Sequence, residues 1–95
     1  MDNLEQLISV SALELEEQIF AKEGVRIVIR TGKNAIFKPY NYKNKADART
    51  NITNWYMTRV KPILGVFEGV IIDGNGDIPH GRTQMQNIRE SYKFK

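Results

Sequence analysis

The side chains with the most evident capacity for chemistry in these 95 residues are cations. Arg82, Gln86, Arg89 and Lys93 recur at i, i+4, i+7 and i+11. On a helix that spacing gathers them into a sector of about 60° and strings them over about 16 Å of axis. Such a row suits a phosphate backbone or an acidic protein surface. A second group interleaves bases with rings: Lys38, Tyr40, Tyr42, Lys43, Lys45 and Arg49. Tyrosine rings stack on unpaired nucleobases while ammonium and guanidinium groups meet phosphates. Tyrosine is equally at home in protein interfaces. The expected binding residues are therefore Arg82, Gln86, Arg89 and Lys93, together with Tyr42, Lys43, Lys45 and Arg49.

Catalytic chemistry has thinner support. His80 is the sole histidine. Oriented by Asp73 or Asp77 and helped by nearby arginines, it could act as the base in RNA cleavage. A lone histidine in a Pro-His-Gly turn is more often a polar loop residue, so no catalytic residue is assigned. The run Asp73-Gly74-Asn75-Gly76-Asp77 invites a calcium loop, with oxygens at positions 1, 3 and 5. Ile78 then stands where that loop needs glycine, and Gln84 where it needs a bidentate glutamate. A plain turn is the expectation, with no metal. Gly74, Gly76 and Gly81 match neither phosphate-loop nor dinucleotide-loop spacing, so no cofactor is expected. The chain has no cysteine, which rules out thiol chemistry and disulfides within it.

Net charge is +3, but its distribution is polarised. Residues 1–23 carry six acids and one base, and residues 24–95 carry five acids and thirteen bases. Two surfaces of opposite sign suggest different partners. The acidic start lacks the basic and apolar pattern of a secretory signal, and no apolar run reaches membrane-spanning length. A cytoplasmic location away from membranes is expected, with homo-oligomerisation left open.

The elements that must position these groups follow from periodicity. The stretch 46–64 reads as an amphipathic helix with Ala48, Ile52, Trp55, Tyr56 and Ile63 on one side, capped by Asp47 and ended or bent by Pro62. Arg59 falls on that apolar side, where its stem would cover Trp55. A short turn is expected over residues 2–8. Ser11 and Glu14 form a capping box for a helix that Gly24 stops. Val25–Arg30 alternates strictly and reads as a half-buried strand, with Ala35–Tyr40 returning beside it as a hairpin. Val66–Ile72 is the candidate central strand, and Thr83 with Gln86 starts a last helix bearing Met85, Ile88 and Tyr92. The expected fold is a single α+β domain over residues 1–95. It has a small, mainly antiparallel three-stranded sheet with helices packed on it, in the order α-β-β-α-β-α.

Composition and patterning thus favour a non-enzymatic module that binds nucleic acid, or a complex that handles it, through the basic surface. The alternative is a phage-type accessory inhibitor or adaptor docking on a host protein complex such as a nuclease. A small basic endoribonuclease centred on His80 ranks third.

Overall fold

The computed structural model describes residues 9–32 and 34–93; the turn expected over residues 2–8 lies outside them. The architecture is α+β, with four short strands in two antiparallel pairs and three helices packed about them. No helix among the described residues is long and apolar enough to cross a membrane.

Strand β1 (Val10–Ser11) runs directly into helix α1 (Ala12–Glu23). The capping box forms: Glu14 N–H donates to Ser11 Oγ at 3.1 Å, and Ser11 N–H donates to Glu14 Oε1 at 2.9 Å. Gly24, at φ 72°, closes the helix in a left-handed conformation that suits glycine. Leu15 and Ile19 are fully buried from this helix, whereas Leu13 and Phe20 face outward.

Strand β2 (Arg26–Arg30) buries Ile27 and Ile29 and exposes Arg26, Val28 and Arg30, as its alternation predicts. Its partner is not the expected one. It pairs over five residues with β4 (Glu68–Ile72), while β3 (Ile36–Phe37) pairs with β1. The expected hairpin is therefore absent, and two two-stranded sheets replace a single three-stranded one. Just beyond β3, Tyr40 is drawn onto α1. Its N–H donates to Gln18 Oε1 at 2.9 Å and its hydroxyl to Glu23 Oε2 at 2.5 Å. With the chain after β3 held against α1, β2 pairs with β4, a longer partner rich in β-branched residues.

Side chains meet an outer N–H group on each side of the β2–β4 ladder. Ile29 N–H donates to Glu16 Oε2 at 2.8 Å, and Gly69 N–H, across the register, donates to Tyr56 Oη at 2.9 Å. At the ladder's end the Tyr92 hydroxyl accepts from Arg26 N–H at 3.0 Å and donates to the Ile72 carbonyl. Burial pushes the Tyr92 phenol above its ordinary pKa, keeping that donor protonated.

Helix α2 covers residues 52–64 and starts later than the sequence suggests. Asp47 shapes a turn instead, accepting from Arg49 N–H at 2.8 Å, and Asn51 is the cap, accepting from Asn54 N–H at 2.8 Å. The helix is α over Ile52–Trp55, π over Tyr56–Val60 and α again over Lys61–Leu64. The wider turn explains two departures from the plain helical reading. Pro62 lies inside the helix, where the adjacent bulge relieves the ring's clash with the preceding turn. The buried positions are Ile52, Trp55, Val60 and Leu64, because one π turn separates Trp55 from Val60. Ile63, expected inside, is only partly buried.

Helix α3 (Met85–Ser91) buries Met85 and Ile88. Gln84, not Thr83, is its cap residue, and it makes no side-chain capping bond. The approach to α3 is laced to the approach to α2. Gln86 N–H donates to the Ala48 carbonyl and Met85 N–H to that of Thr50. Ile52 N–H donates in turn to the Thr83 carbonyl, and Thr53 N–H to that of Gly81. Residues 48–53 and 81–86 thus form one continuous seam.

Candidate nucleic-acid interface

Two of the arginines that a surface reading would put in solvent belong to the interior. Glu23, 1% exposed at the end of α1, is the only charged residue among the buried positions described. Its Oε1 accepts from Ala46 N–H at 2.8 Å and from Arg89 at 3.0 Å. Its Oε2 accepts from Arg59 at 2.9 Å as well as from Tyr40. Arg89 also donates through Nε to the Glu23 carbonyl, at 2.6 Å, and through Nη2 to that of Ala46 at 3.0 Å. Arg59 reaches the Asn44 carbonyl at 2.8 Å, and Trp55 Nε1 donates to the Tyr40 hydroxyl at 3.0 Å. Burial opposes the charge on Glu23. The donors from Tyr40, Ala46, Trp55 and Arg59 outweigh it and hold the carboxyl below its ordinary pKa.

The expected helical row is therefore corrected in three places. Arg82 precedes α3 and sits in a turn, and Arg89 is turned inward onto Glu23 rather than along an exposed stripe. Lys93 lies in the turn beyond the end of α3. The sequence carried a hint of this hub, since Arg59 interrupts the apolar side of α2. Nothing in it identified Glu23 as the partner.

The loop 40–46 is built onto the same hub. Tyr42 is partly buried, its ring 4.9 Å from that of Tyr40 and 4.4 Å beneath the Arg59 guanidinium. Its ring is engaged within the protein. Lys22 holds the Lys43 carbonyl at 3.0 Å, leaving Lys43 and Lys45 exposed on a fixed loop.

Residues that the sequence spaces widely come together along the seam. At its Ala48–Gln86 end a recess of about 370 Å³ is lined by Lys45, Gln86, Arg89 and Lys93, with Asp47 and Glu90 also on its wall. Lys93 pairs with Glu90 at 3.2 Å across an exposed turn, a contact that contributes little. At the Thr53–Gly81 end a second recess, of about 410 Å³, is lined by Asn51, Thr53, Asn54, Met57, His80, Gly81 and Arg82. Arg49 is exposed on the segment between the two. Of the expected residues, Lys45, Arg49, Arg82, Gln86 and Lys93 are brought to this seam, Lys43 stays on the adjoining loop, and Tyr42 and Arg89 are withdrawn.

His80 is oriented by the backbone rather than by Asp73 or Asp77. Its Nδ1 accepts from Arg82 N–H at 3.1 Å, and its carbonyl accepts from Thr83 N–H. The Asp73 carboxylate is spent inside its own turn, on Asn75 N–H and Asp77 N–H. A Cβ at Gly81 would come within 2.3 Å of Thr53 Oγ1, so the His80–Arg82 turn packs closely on α2 and a side chain there would require the Thr53 hydroxyl to move.

No family model, curated protein or solved structure matches the chain.

Proposed function

We propose that this protein is a non-enzymatic module that binds nucleic acid, or an assembly built on nucleic acid, through the basic seam between residues 48–53 and 81–86. The observation that supports this reading is that Lys45 and Lys93 line the recess at one end of the backbone-laced seam and Arg82 the recess at the other, with Arg49 exposed on the segment between. Cations held in one region of the surface release counterions from a phosphate backbone when they bind it. The acidic face of α1, with Glu14 and Glu17 exposed, would repel phosphate and is expected to stay out of the contact.

The test is retention of a single-stranded oligonucleotide as salt is raised. Replacing Lys45 and Lys93 together by alanine should lower the salt slope by about 1.4, at about 0.7 per lost phosphate contact. Stability should move by about 0.5 kcal/mol or less, since both side chains are exposed. No retention by the native protein at low salt, or an unchanged slope in the variant, would remove the reading.

A second reading, an accessory inhibitor docking on a host protein, has one observation in its favour. Leu13 and Phe20 are exposed on α1 beside Glu16, Glu17 and Arg26, lining a recess of about 370 Å³. Apolar groups rimmed by charge are a common form of protein contact. Charge reversal of Glu14 and Glu17 to lysine separates the readings: it should preserve or raise oligonucleotide affinity, and abolish a docking contact. Capture from the source cell with and without nuclease discriminates them independently.

A further inference from the structure

We propose that the recess at the Thr53–Gly81 end of the seam, with the apolar groove beside it, seats one nucleotide of a single strand. The phosphate lies against His80 and Arg82 and the base against Met57 and Ile78. This rests on the nucleic-acid reading and assigns it a specific seat.

The polar half is defined by what lines it. Arg82 supplies a guanidinium, Thr53 a hydroxyl and Asn54 a side-chain amide, and no carboxylate stands among the described lining residues. His80 adds a donor for a geometric reason. Because Nδ1 accepts from Arg82 N–H, the imidazole proton is on Nε2, the nitrogen that does not face the backbone. The recess at the other end of the seam contains Asp47 and Glu90, which compete with an anion for its cations. A lining rich in donors and free of acids fits a phosphate better than a neutral or cationic ligand.

The apolar half adjoins it. Thr53, Met57 and Gly81 also line a groove of about 330 Å³ whose other walls include Val70, Ile71, Ile78 and Pro79. Met57 is 56% exposed and Ile78 is 69% exposed, large apolar side chains that water does not favour. Phosphate donors and an apolar shelf sharing three residues match the two ends of a nucleotide. Duplex bases are stacked and paired within the helix and cannot lie on such a shelf, which selects a single strand.

The test uses a twelve-residue oligodeoxythymidylate and the corresponding duplex, with affinity followed by fluorescence anisotropy at two salt concentrations. His80→Asn keeps an oxygen able to accept from the residue-82 N–H while removing the imidazole donor. Arg82→Gln removes the guanidinium. Each should weaken single-strand binding about five- to tenfold, and Arg82→Gln should lower the salt slope by about 0.7. Ile78→Asp should weaken single-strand binding and leave duplex binding unchanged. Thermal melts of all three variants should match the native protein.

Native binding with unchanged affinity in His80→Asn and Arg82→Gln, while Lys45→Ala with Lys93→Ala weakens it, would overturn the seat and spare the basic seam. Equal loss of single-strand and duplex binding in Ile78→Asp would overturn the base-binding half. No binding of either probe by the native protein would overturn both this seat and the reading on which it rests.

Discussion

Glu23→Ala should destabilise the protein by about 3–5 kcal/mol, a large share of the stability of a domain this size. The cost comes from what remains after the carboxylate is gone. Arg59 and Arg89 keep side-chain exposures of 25% and 14%, and both cations would lose their carboxylate, left with carbonyls and, for Arg59, the Tyr42 ring. The Tyr40 hydroxyl and Ala46 N–H would lose their acceptor as well. Urea unfolding at neutral pH checks the magnitude, and a midpoint equal to that of the native protein would disprove the hub. The same carboxylate predicts an acid limb. Its folded-state pKa lies below the usual 4.5, so its contribution is complete above about pH 4.5 and fades as pH falls through the lower, folded value. Glu23→Gln should flatten that limb while costing less than alanine, since the amide retains an acceptor oxygen.

Trp55→Ala carries the other large effect, again about 3–5 kcal/mol. The ring is 1% exposed, among the largest fully buried side chains, and its Nε1 ties α2 to Tyr40 and through it to Glu23. Trp55→Phe separates the two contributions, because it fills most of the volume but leaves the Tyr40 oxygen without that donor. It should cost about 1–3 kcal/mol. Calorimetric melting is the appropriate measure, as Trp55 is also the fluorescence reporter. A Trp55→Ala variant melting with the native protein would place the ring outside the core.

How much of this was legible beforehand follows the range of the interaction concerned. The cap at Ser11, the stop at Gly24 and the alternation of β2 are local, and each stands as its residues indicate. The late start of α2 turned on a contest between Asp47 and Asn51, two residues equally able to cap. The pairing of β2 with β4 was not legible, because it joins segments far apart in the chain and no local pattern carries that register. The π turn was concealed for a related reason. Val60 and Leu64 look misplaced at 100° per residue and fall into line only when one turn is widened. Arg89 shows the limit most clearly: its spacing with Gln86 and Lys93 describes a surface row, and its partner lies 66 residues away. Spacing locates a side chain on a helix, while the choice between solvent and Glu23 is made by tertiary packing.

The side chains that close the β2–β4 ladder also bear on how this protein can meet its own copies. A two-stranded sheet has as much border as interior, and each border is normally a template for another strand. Here Glu16 occupies the N–H of Ile29 on one border and Tyr56 that of Gly69 on the other. An incoming strand would have to evict a carboxylate on one side and a phenol on the other to pair at those positions. Self-templated sheet growth is thus disfavoured from both directions, although β2 and β4 are rich in isoleucine and valine. Glu16→Ala with Tyr56→Phe, made together, is the change that would expose this chain to aggregation without altering its core.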